Sequence, residues 1–385
     1  MNRAAIFANT DIDFVILLKA EFVYYFSGFN PVLNHHDNAV VISTKDSNVH
    51  LLTHSIRYEH AKEDSFLDSS QLFAHGHWGN TAYVHKAFIP SLLLLMNAPK
   101  EKIRIGIDFE STPYQFINKW KAYHSNCEFV DVGDVIKNAM LVKDEAEINR
   151  IRIASKLADS SMEKMIELVH AGANEMEITT EGQYVMRKLW EQSYSDYEIS
   201  GFGGKQGGII DDFHCWVLTN QRISYGCDCP QKINVDTADI VLPMVWATIG
   251  GYHAENERTL ISKNVSDDKK KAYEAMLHAR EAIFENLKPG NTFSSLYEYA
   301  KALFIQFGFE EILPGRVGHG IGLHPHEYPS IEAANHIILE EGMVLTVEPG
   351  LMEKTWGGVR HSDTVVVTED SFEILTQTDR GTLLI

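Results

Sequence analysis

The chain has 385 residues, of which 44% are hydrophobic and 23% are charged, and its formal net charge is −19. This length exceeds what one hydrophobic core usually supports, and the composition is that of an ordered globular protein, so we expect two domains. The negative charge would repel phosphate backbones and anionic membrane surfaces, so neither nucleic acid nor a membrane is an expected partner.

The first third of the chain predicts an α/β domain. Apolar runs bounded by turn residues alternate there with more polar stretches of helical character. These runs are DFVILL, NAVVIS, NVHLLT and KIRIGIDF. Charges interrupt the apolar opening of the chain, which we interpret as a helical turn leading into a strand, rather than a signal peptide or a membrane span.

A second domain is predicted to begin near Ala139. Ile148, Ile151 and Leu157 belong to an apolar series at helical spacing, which predicts a long helix. The later C-terminal segments ADIVLPMVWATIGG, HAENERTLI, MVLTVEPGLM and DTVVVTE read as strands. We therefore predict two domains, residues 1–138 and 139–385.

A pair of helices is predicted between two of these C-terminal strands. Pro289 and Gly290 end the first helix, because proline cannot continue one, and Thr292 or Ser294 can cap the next.

Histidines and carboxylates are concentrated in four C-terminal segments, GYHAENERT, GHGIGLHPHE, TVEPG and GGVRHSDT. Glu255 and Glu257 lie two residues apart in a strand, so their carboxylates share one face. Placing two acids together is costly unless it serves a function, although an exposed edge strand would also tolerate them.

A glycine-rich loop and an apolar strand carry the other candidates. His319, His324 and His326 lie where glycines allow a ligand to approach the backbone. Glu348 follows an apolar strand and must be paired, protonated or bound to metal if it is buried. Its candidate partners are Arg258, Arg316 and Arg360.

In this order, the segments resemble the pita-bread family that contains creatinase, aminopeptidase P, prolidase and methionine aminopeptidase. MLVKDEAEINRIRIASKLADSSM, VDTADIVL, LKPGNTFSSL, GHGIGLHPHE, LEEGMVLTVEPG and GGVRHSDTVVVTED carry the resemblance over about 240 residues. It implies an α+β pita-bread C-terminal domain preceded by a smaller α/β creatinase-type N-terminal domain. It also implies a homodimer.

The peptidases of this family hold two divalent ions with two Asp, one His and two Glu. Those positions match Met244, Glu255, His319, Glu348 and Ser362 here. A thioether and a hydroxyl cannot replace bridging carboxylates, so an ordinary dinuclear site is not expected. We expect no cofactor, and the alternative is one divalent ion (Mn, Zn, Fe or Co) on Glu255, His319 and Glu348, with His361 as a fourth ligand.

The missing ligands make the chain similar to creatinase, which cleaves a guanidino C–N bond without metal. Glu257, Arg258 and Thr259 match its Glu-Arg-Thr sequence. His361 stands where creatinase has a second substrate-binding Glu, and Cys227 lies in the segment that holds its general-base His. Creatine is therefore not an expected substrate.

Roles follow from these matches. The predicted catalytic residues are Glu255, His319, His326 and Glu348. The predicted substrate-binding residues are Glu257, Arg258, Arg360 and His361. A carboxylate would act as base or nucleophile while the histidines protonate the leaving nitrogen and stabilise the oxyanion.

The resulting hypothesis is a cytoplasmic, homodimeric and metal-independent hydrolase of a C–N bond (amide, imide or guanidine) in a small amino-acid-derived substrate. One alternative is an Xaa-Pro dipeptidase or aminopeptidase P-like metallopeptidase with a remodelled metal site, acting on a dipeptide-like substrate. The other is a non-catalytic pita-bread module that binds a protein or peptide. Four irregularly spaced cysteines favour a reducing compartment.

Three motifs are left without an assigned role. Cys227, Asp228 and Cys229 are interpreted as loop residues rather than as a metal clip or reactive thiols. The segments from His75 to Asn80 and from Asn34 to His36 are interpreted as polar surface loops, with a substrate contact as the alternative.

Overall fold

The computed structural model describes residues 3–32, 36–99, 101–202 and 212–385. The chain forms two compact units, one of residues 1–140 with 201–210 and one of residues 141–200 with 211–385. The sequence placed the boundary between residues 138 and 139. It did not anticipate that Gly201 and Phe202 belong to the first unit.

The first unit is built on a six-stranded mixed sheet in the order β4-β3-β2-β1-β5-β6. Its strands are β1 Phe14–Leu17, β2 Ala39–Ser43, β3 Asn48–His54, β4 Leu72–His75, β5 Ile103–Ile107 and β6 Cys127–Asp131. Its helices are α1 Ala20–Ser27, α2 Tyr58–Asp64, α3 Phe88–Leu95, α4 Tyr114–Tyr123 and α5 Gly133–Leu141. The four apolar runs of the sequence form β1, β2, β3 and β5.

The second unit contains a nine-stranded sheet whose main path is β10-β8-β9-β16-β13-β11-β12, with β7 beside β8 and β17 beside β16. Its strands are β7 His214–Thr219, β8 Ile240–Ile249, β9 Tyr252–Glu257, β10 Leu260–Ile261, β11 His319–Gly320, β12 Glu327–Ser330, β13 Val344–Val347, β16 Ser362–Val367 and β17 Phe372–Ile374. A separate ribbon pairs β14 Gly350–Glu353 with β15 Gly357–Arg360. The helices are α6 Glu145–His170, α7 Glu175–Ser193, α8 Asp267–Asn286 and α9 Phe293–Gln306.

Local signals account for the ends of these helices. Asp144 caps α6 and forms a reciprocal capping box with Glu147. Helix α8 ends at Asn286, before the Pro-Gly pair, and Thr292 caps α9 through the backbone N–H of Ser295. The long helix predicted to open the second domain is therefore α6.

The core of the second unit lies between this sheet and its helices. Alternate residues of β8 belong to one apolar cluster with buried residues of α8 and α9. They are Ile240, Leu242, Met244 and Trp246. All ten residues of β8 are buried, as expected for a strand covered on both faces. In the described parts of the chain, no helix has the length and apolar character needed to cross a membrane.

Candidate active site

A cavity of about 850 Å³ opens in the second unit above the central strands of the sheet. Its polar lining includes Glu257, Arg316, His326, Glu348 and Arg360. Its aromatic lining consists of Trp216, Tyr225 and Trp246. A concave, largely apolar site with a few convergent charged groups is the usual form of a small-ligand pocket.

Glu255 and Glu257 both face this region because they lie two residues apart on β9. The predicted shared face is therefore present, but both carboxylates are buried, at 1% and 0% exposure, so this is not an exposed edge strand. In the β8–β9 hairpin, Trp246 is opposite Glu255 and Met244 is opposite Glu257. The indole Nε1 of Trp246 donates to Glu255 Oε2 at 2.8 Å.

The lone pair of His319 points at two carboxylates. Its Nδ1 lies 2.9 Å from the carbonyl oxygen of Gly320, which can only accept, so Nδ1 carries the proton and Nε2 does not. Nε2 lies 3.3 Å from Glu348 Oε1 and 3.6 Å from Glu255 Oε2. Burial lowers the pKa of His319 to about 4, so the ring is neutral.

Glu348 and Glu255 have opposite pKa shifts. Burial, and then the neighbouring charge of Glu255, raise the pKa of Glu348 well above its usual range. Burial also disfavours ionised Glu255, but the coulombic effects of His319 and of Arg360 outweigh it, and the pKa of Glu255 is lowered. Arg316 reaches Glu348 only at 3.5 Å and is 42% exposed.

Arg360 is bound to the second carboxylate of β9. Its Nε forms an ion pair with Glu257 Oε2, and one terminal nitrogen donates to Glu257 Oε1 at 2.7 Å. The same nitrogen lies 3.1 Å from the sulfur of Met244. Burial raises the pKa of Glu257 to about 7 although Arg360 opposes this shift.

Arg258 and His361 lie outside the cavity lining, and their predicted substrate contact is corrected to a structural role. Arg258 is fully buried and donates to Asp363 Oδ1 at 2.5 Å and to the carbonyl oxygen of Ser362 at 2.8 Å. His361 is also fully buried, with Arg280 donating to its Nδ1 at 2.7 Å. Their polar groups are occupied within the protein, so they hold strands in place.

Three neighbours of the site were missed from the sequence. His253 lines the cavity, and its Nε2 lies 3.0 Å from Asp212 Oδ2. His253 precedes Glu255 by two residues, so the strand period alone would have placed it on the same face. Trp246 required knowledge of the hairpin register, and nothing in the sequence singles out Asp212.

The motifs left without a role are in different environments. Cys227 lines the cavity, and Cys227 and Cys229 are both exposed. In the first unit, His75 is the buried last residue of β4 and lies 2.8 Å from the carbonyl oxygen of Asp37, whereas residues 77–80 are exposed, as a surface loop would be. In the other N-terminal motif, positions 34 and 35 lie outside the described residues.

Two groups of ligand-type residues share Glu255 within the described part of the chain. One is Glu255, His319 and His326, and the other is Glu255, Glu257 and Glu348, each with its donor atoms within 4.8 Å of one another. A neutral imidazole lone pair converging with carboxylate oxygens suits a first-row divalent ion. The residues therefore fit one ion near His319, whereas Arg360 already holds Glu257 of the other group.

The fold and the site together define a hydrolase whose polar centre is carried by an antiparallel sheet. The chain belongs to metallopeptidase family M24, whose model matches residues 149–369, and its N-terminal part matches the creatinase/prolidase N-terminal domain over residues 3–139. The predicted pita-bread domain and creatinase-type N-terminal domain are thereby confirmed, as is the hydrolase class.

Relatives match over nearly the whole length. An Xaa-Pro dipeptidase of Pyrococcus horikoshii is 28% identical over 373 residues, which is 97% of this chain and 95% of the relative. A prolidase structure from Pyrococcus furiosus superposes with a TM-score of 0.78 at 25% identity, covering 98% and 99% of the two chains. An X-Pro aminopeptidase structure from Thermotoga maritima gives 0.77 at 26%, covering 97% and 98%.

These findings correct two predictions. The metal-independent, creatinase-like hydrolase is wrong as the main interpretation, because relatives of nearly full length are named Xaa-Pro dipeptidases and prolidases. The expectation of no cofactor is wrong for the same reason, since the family is one of metallopeptidases and ligand-type residues converge in the site. Missing ligands can be counted in the sequence, but the convergence of the remaining donors is visible only in the structure.

Proposed function

We propose that this protein is an Xaa-Pro dipeptidase-type metallopeptidase that works with one divalent ion held by Glu255, His319 and Glu348. The observation that carries the proposal is the unprotonated Nε2 of His319, which lies 3.3 Å and 3.6 Å from oxygens of Glu348 and Glu255. An imidazole lone pair that faces two carboxylates is repelled by their oxygens unless a cation or a proton lies between these groups. Membership of metallopeptidase family M24 supports a metal cation.

A divalent ion in this position would act as a Lewis acid toward the scissile carbonyl and favour a deprotonated water. Burial beside Glu255 raises the pKa of Glu348, and a cation between the two carboxylates would remove this repulsion and hold Glu348 ionised as a ligand. His326 lies with its ring centre 4.5 Å from that of His319 and borders the cavity, where it can donate to the developing oxyanion.

The shape and lining of the cavity suit a dipeptide with an apolar ring. Its volume of about 850 Å³ is within the range of small-molecule sites. Trp216 and Trp246, with ring centres 5.0 Å apart, form an apolar wall against which a pyrrolidine ring can pack. Arg316 is the exposed cation of the lining and is placed to bind the substrate carboxylate.

The test is hydrolysis of a panel of Xaa-Pro dipeptides before and after chelation, with Mn, Co, Zn or Fe added back. We expect activity to disappear with the chelator and to return with metal. His319→Ala and Glu348→Gln should lower kcat/KM at least 100-fold, whereas Glu341→Gln, at an exposed position, should leave it unchanged. Chelator-resistant hydrolysis, or full activity of His319→Ala, would refute the proposal.

We also propose a homodimer located in the cytoplasm. The family resemblance supports the dimer, and four free, irregularly spaced cysteines support a reducing compartment. Sedimentation velocity tests the dimer, and a single species at the mass of one chain would contradict it.

A further inference from the structure

The group formed by Glu255, Glu257 and Glu348 has the ligand chemistry of a second ion site, yet it already contains a cation. Its donor oxygens lie within 4.8 Å of one another, and all three residues are buried. The guanidinium of Arg360 contacts both carboxylate oxygens of Glu257. A planar guanidinium bound in this two-point manner is a fixed positive charge that does not dissociate.

The sheet register shows why a protein cation suits this position. Met244, Glu257 and Ser362 form one row across β8, β9 and β16, since Glu257 pairs with both neighbours. Directly paired side chains on a sheet lie about 4.5–5.5 Å apart at Cβ. The two residues flanking Glu257 are thus a thioether and a hydroxyl, neither of which brings negative charge. Without carboxylates at those two positions, an ion here could bind only if the carboxylate of Glu257 were free of Arg360.

Charge neutrality supports the same arrangement. Glu255, Glu257 and Glu348 carry three negative charges when ionised, and Arg360 supplies one positive charge. One divalent ion then brings this buried group to neutrality, whereas two would leave it with a net positive charge. Buried charges are stable only when they are compensated, so the residues match one ion and one guanidinium.

We infer that the guanidinium of Arg360 takes the place of a second metal ion, so that the centre consists of one exchangeable divalent ion and one built-in cation. The count of one exchangeable ion rests on the proposed function. The role of Arg360 does not, because it follows from the contacts with Glu257 and Met244. Arg360 is a positioning residue in this account, holding Glu257 away from the bound ion.

The test is to count Mn²⁺ ions bound per chain by isothermal titration and by the electron paramagnetic resonance of bound Mn²⁺. Removal of the guanidinium in Arg360→Ala frees Glu257 as a ligand, so this variant should bind one more ion than the wild type. A coupled Mn–Mn spectrum should appear only in this variant. Arg360→Lys keeps the charge, and Arg316→Ala removes a different cavity cation, so both should keep the wild-type count.

The difference between Arg360→Ala and the wild type decides this inference. An increment of one ion supports it, and an unchanged count, or two ions in the wild type, overturns it. A wild type that binds no ion would refute the proposed function. The difference in the number of bound ions between Arg360→Ala and the wild type would still test the role of Arg360. If Arg360→Ala does not fold, two double variants replace it. Glu257→Ser with Arg360→Ser removes both charges together. Glu257→Ser with Arg360→Glu places a carboxylate where the guanidinium was and should bind one more ion than the first double variant. Ion counts equal in these two double variants would also overturn it.

Discussion

The cysteines of this protein differ sharply in their environments. Cys227 lines the cavity, Cys229 is exposed two residues later, and Cys215 is fully buried in β7. Burial raises the pKa of Cys215 to about 12, and it also raises that of Cys227. Because the thiolate is the reactive species, exposure and pKa together set the order of reactivity.

This order predicts a labelling pattern. In the native protein we expect iodoacetamide to modify Cys229 first and Cys227 more slowly, while Cys215 reacts only after unfolding. Millimolar proline, the product of the proposed reaction, should slow modification of Cys227 several-fold. Peptide mass spectrometry gives the rate at each site, and Cys229 is the internal control. Equal protection of both residues, or of neither, would contradict the cavity assignment.

At the scale of single residues, the sequence identified the polar groups of the site but not all of their partners. The period of two in β9 correctly placed Glu255 and Glu257 on one face. Arg360 was one of three candidate partners of Glu348, and its pairing with Glu257 instead depends on contacts between β9 and a ribbon about 100 residues later in the chain. Such pairings depend on tertiary structure and have no local signal.

Helix α6 fixes strand β9 through a buried carboxylate. Asp159 lies on α6 and accepts hydrogen bonds from Asn256 Nδ2 at 2.8 Å and from the backbone N–H of Gln377 at 2.8 Å. It also accepts from the hydroxyl of Thr378 at 3.0 Å. Asn256 separates Glu255 from Glu257, so this helix contact stabilises the strand that carries both carboxylates.

Loss of this carboxylate should destabilise the second unit. Asp159→Ala leaves several buried donors unsatisfied, and we expect its free energy of unfolding to fall by about 3 kcal/mol. Glu163→Ala on the same helix is exposed and should change it by less than about 0.5 kcal/mol. Urea denaturation followed by circular dichroism measures both, and equal stability of the two variants would contradict the role of Asp159.

At the scale of elements, hydrophobic periodicity and end signals predicted most of the second unit. Helix α6 follows from its apolar spacing and its Asp144 cap, and α9 from the Pro-Gly break before Thr292. The order of strands was not predictable, because β16 lies between β9 and β13 and is paired with strands distant in sequence. That order brings His319, Glu348 and Glu255 together.

At the scale of the whole molecule, the strong negative charge and the site favour the same kind of ligand. A net charge of −19 attracts cations and repels multiply charged anions, while a zwitterionic dipeptide carries no net charge. The cavity lining and all the proposed ion-binding residues belong to the second unit. The composition alone made nucleic acid and membranes unexpected partners. It could not define the metal chemistry of the site, which depends on the direction of the Nε2 lone pair of His319.

The metal content of the protein, after it is supplied with Mn, Co, Zn or Fe and freed of loose ions, measures the one-ion site directly. We predict one tightly bound divalent ion per chain, lost on chelation and absent from His319→Ala, because the Nε2 lone pair of His319 is a ligand. An ion count of zero in the wild type, or the same count in His319→Ala, would contradict the account.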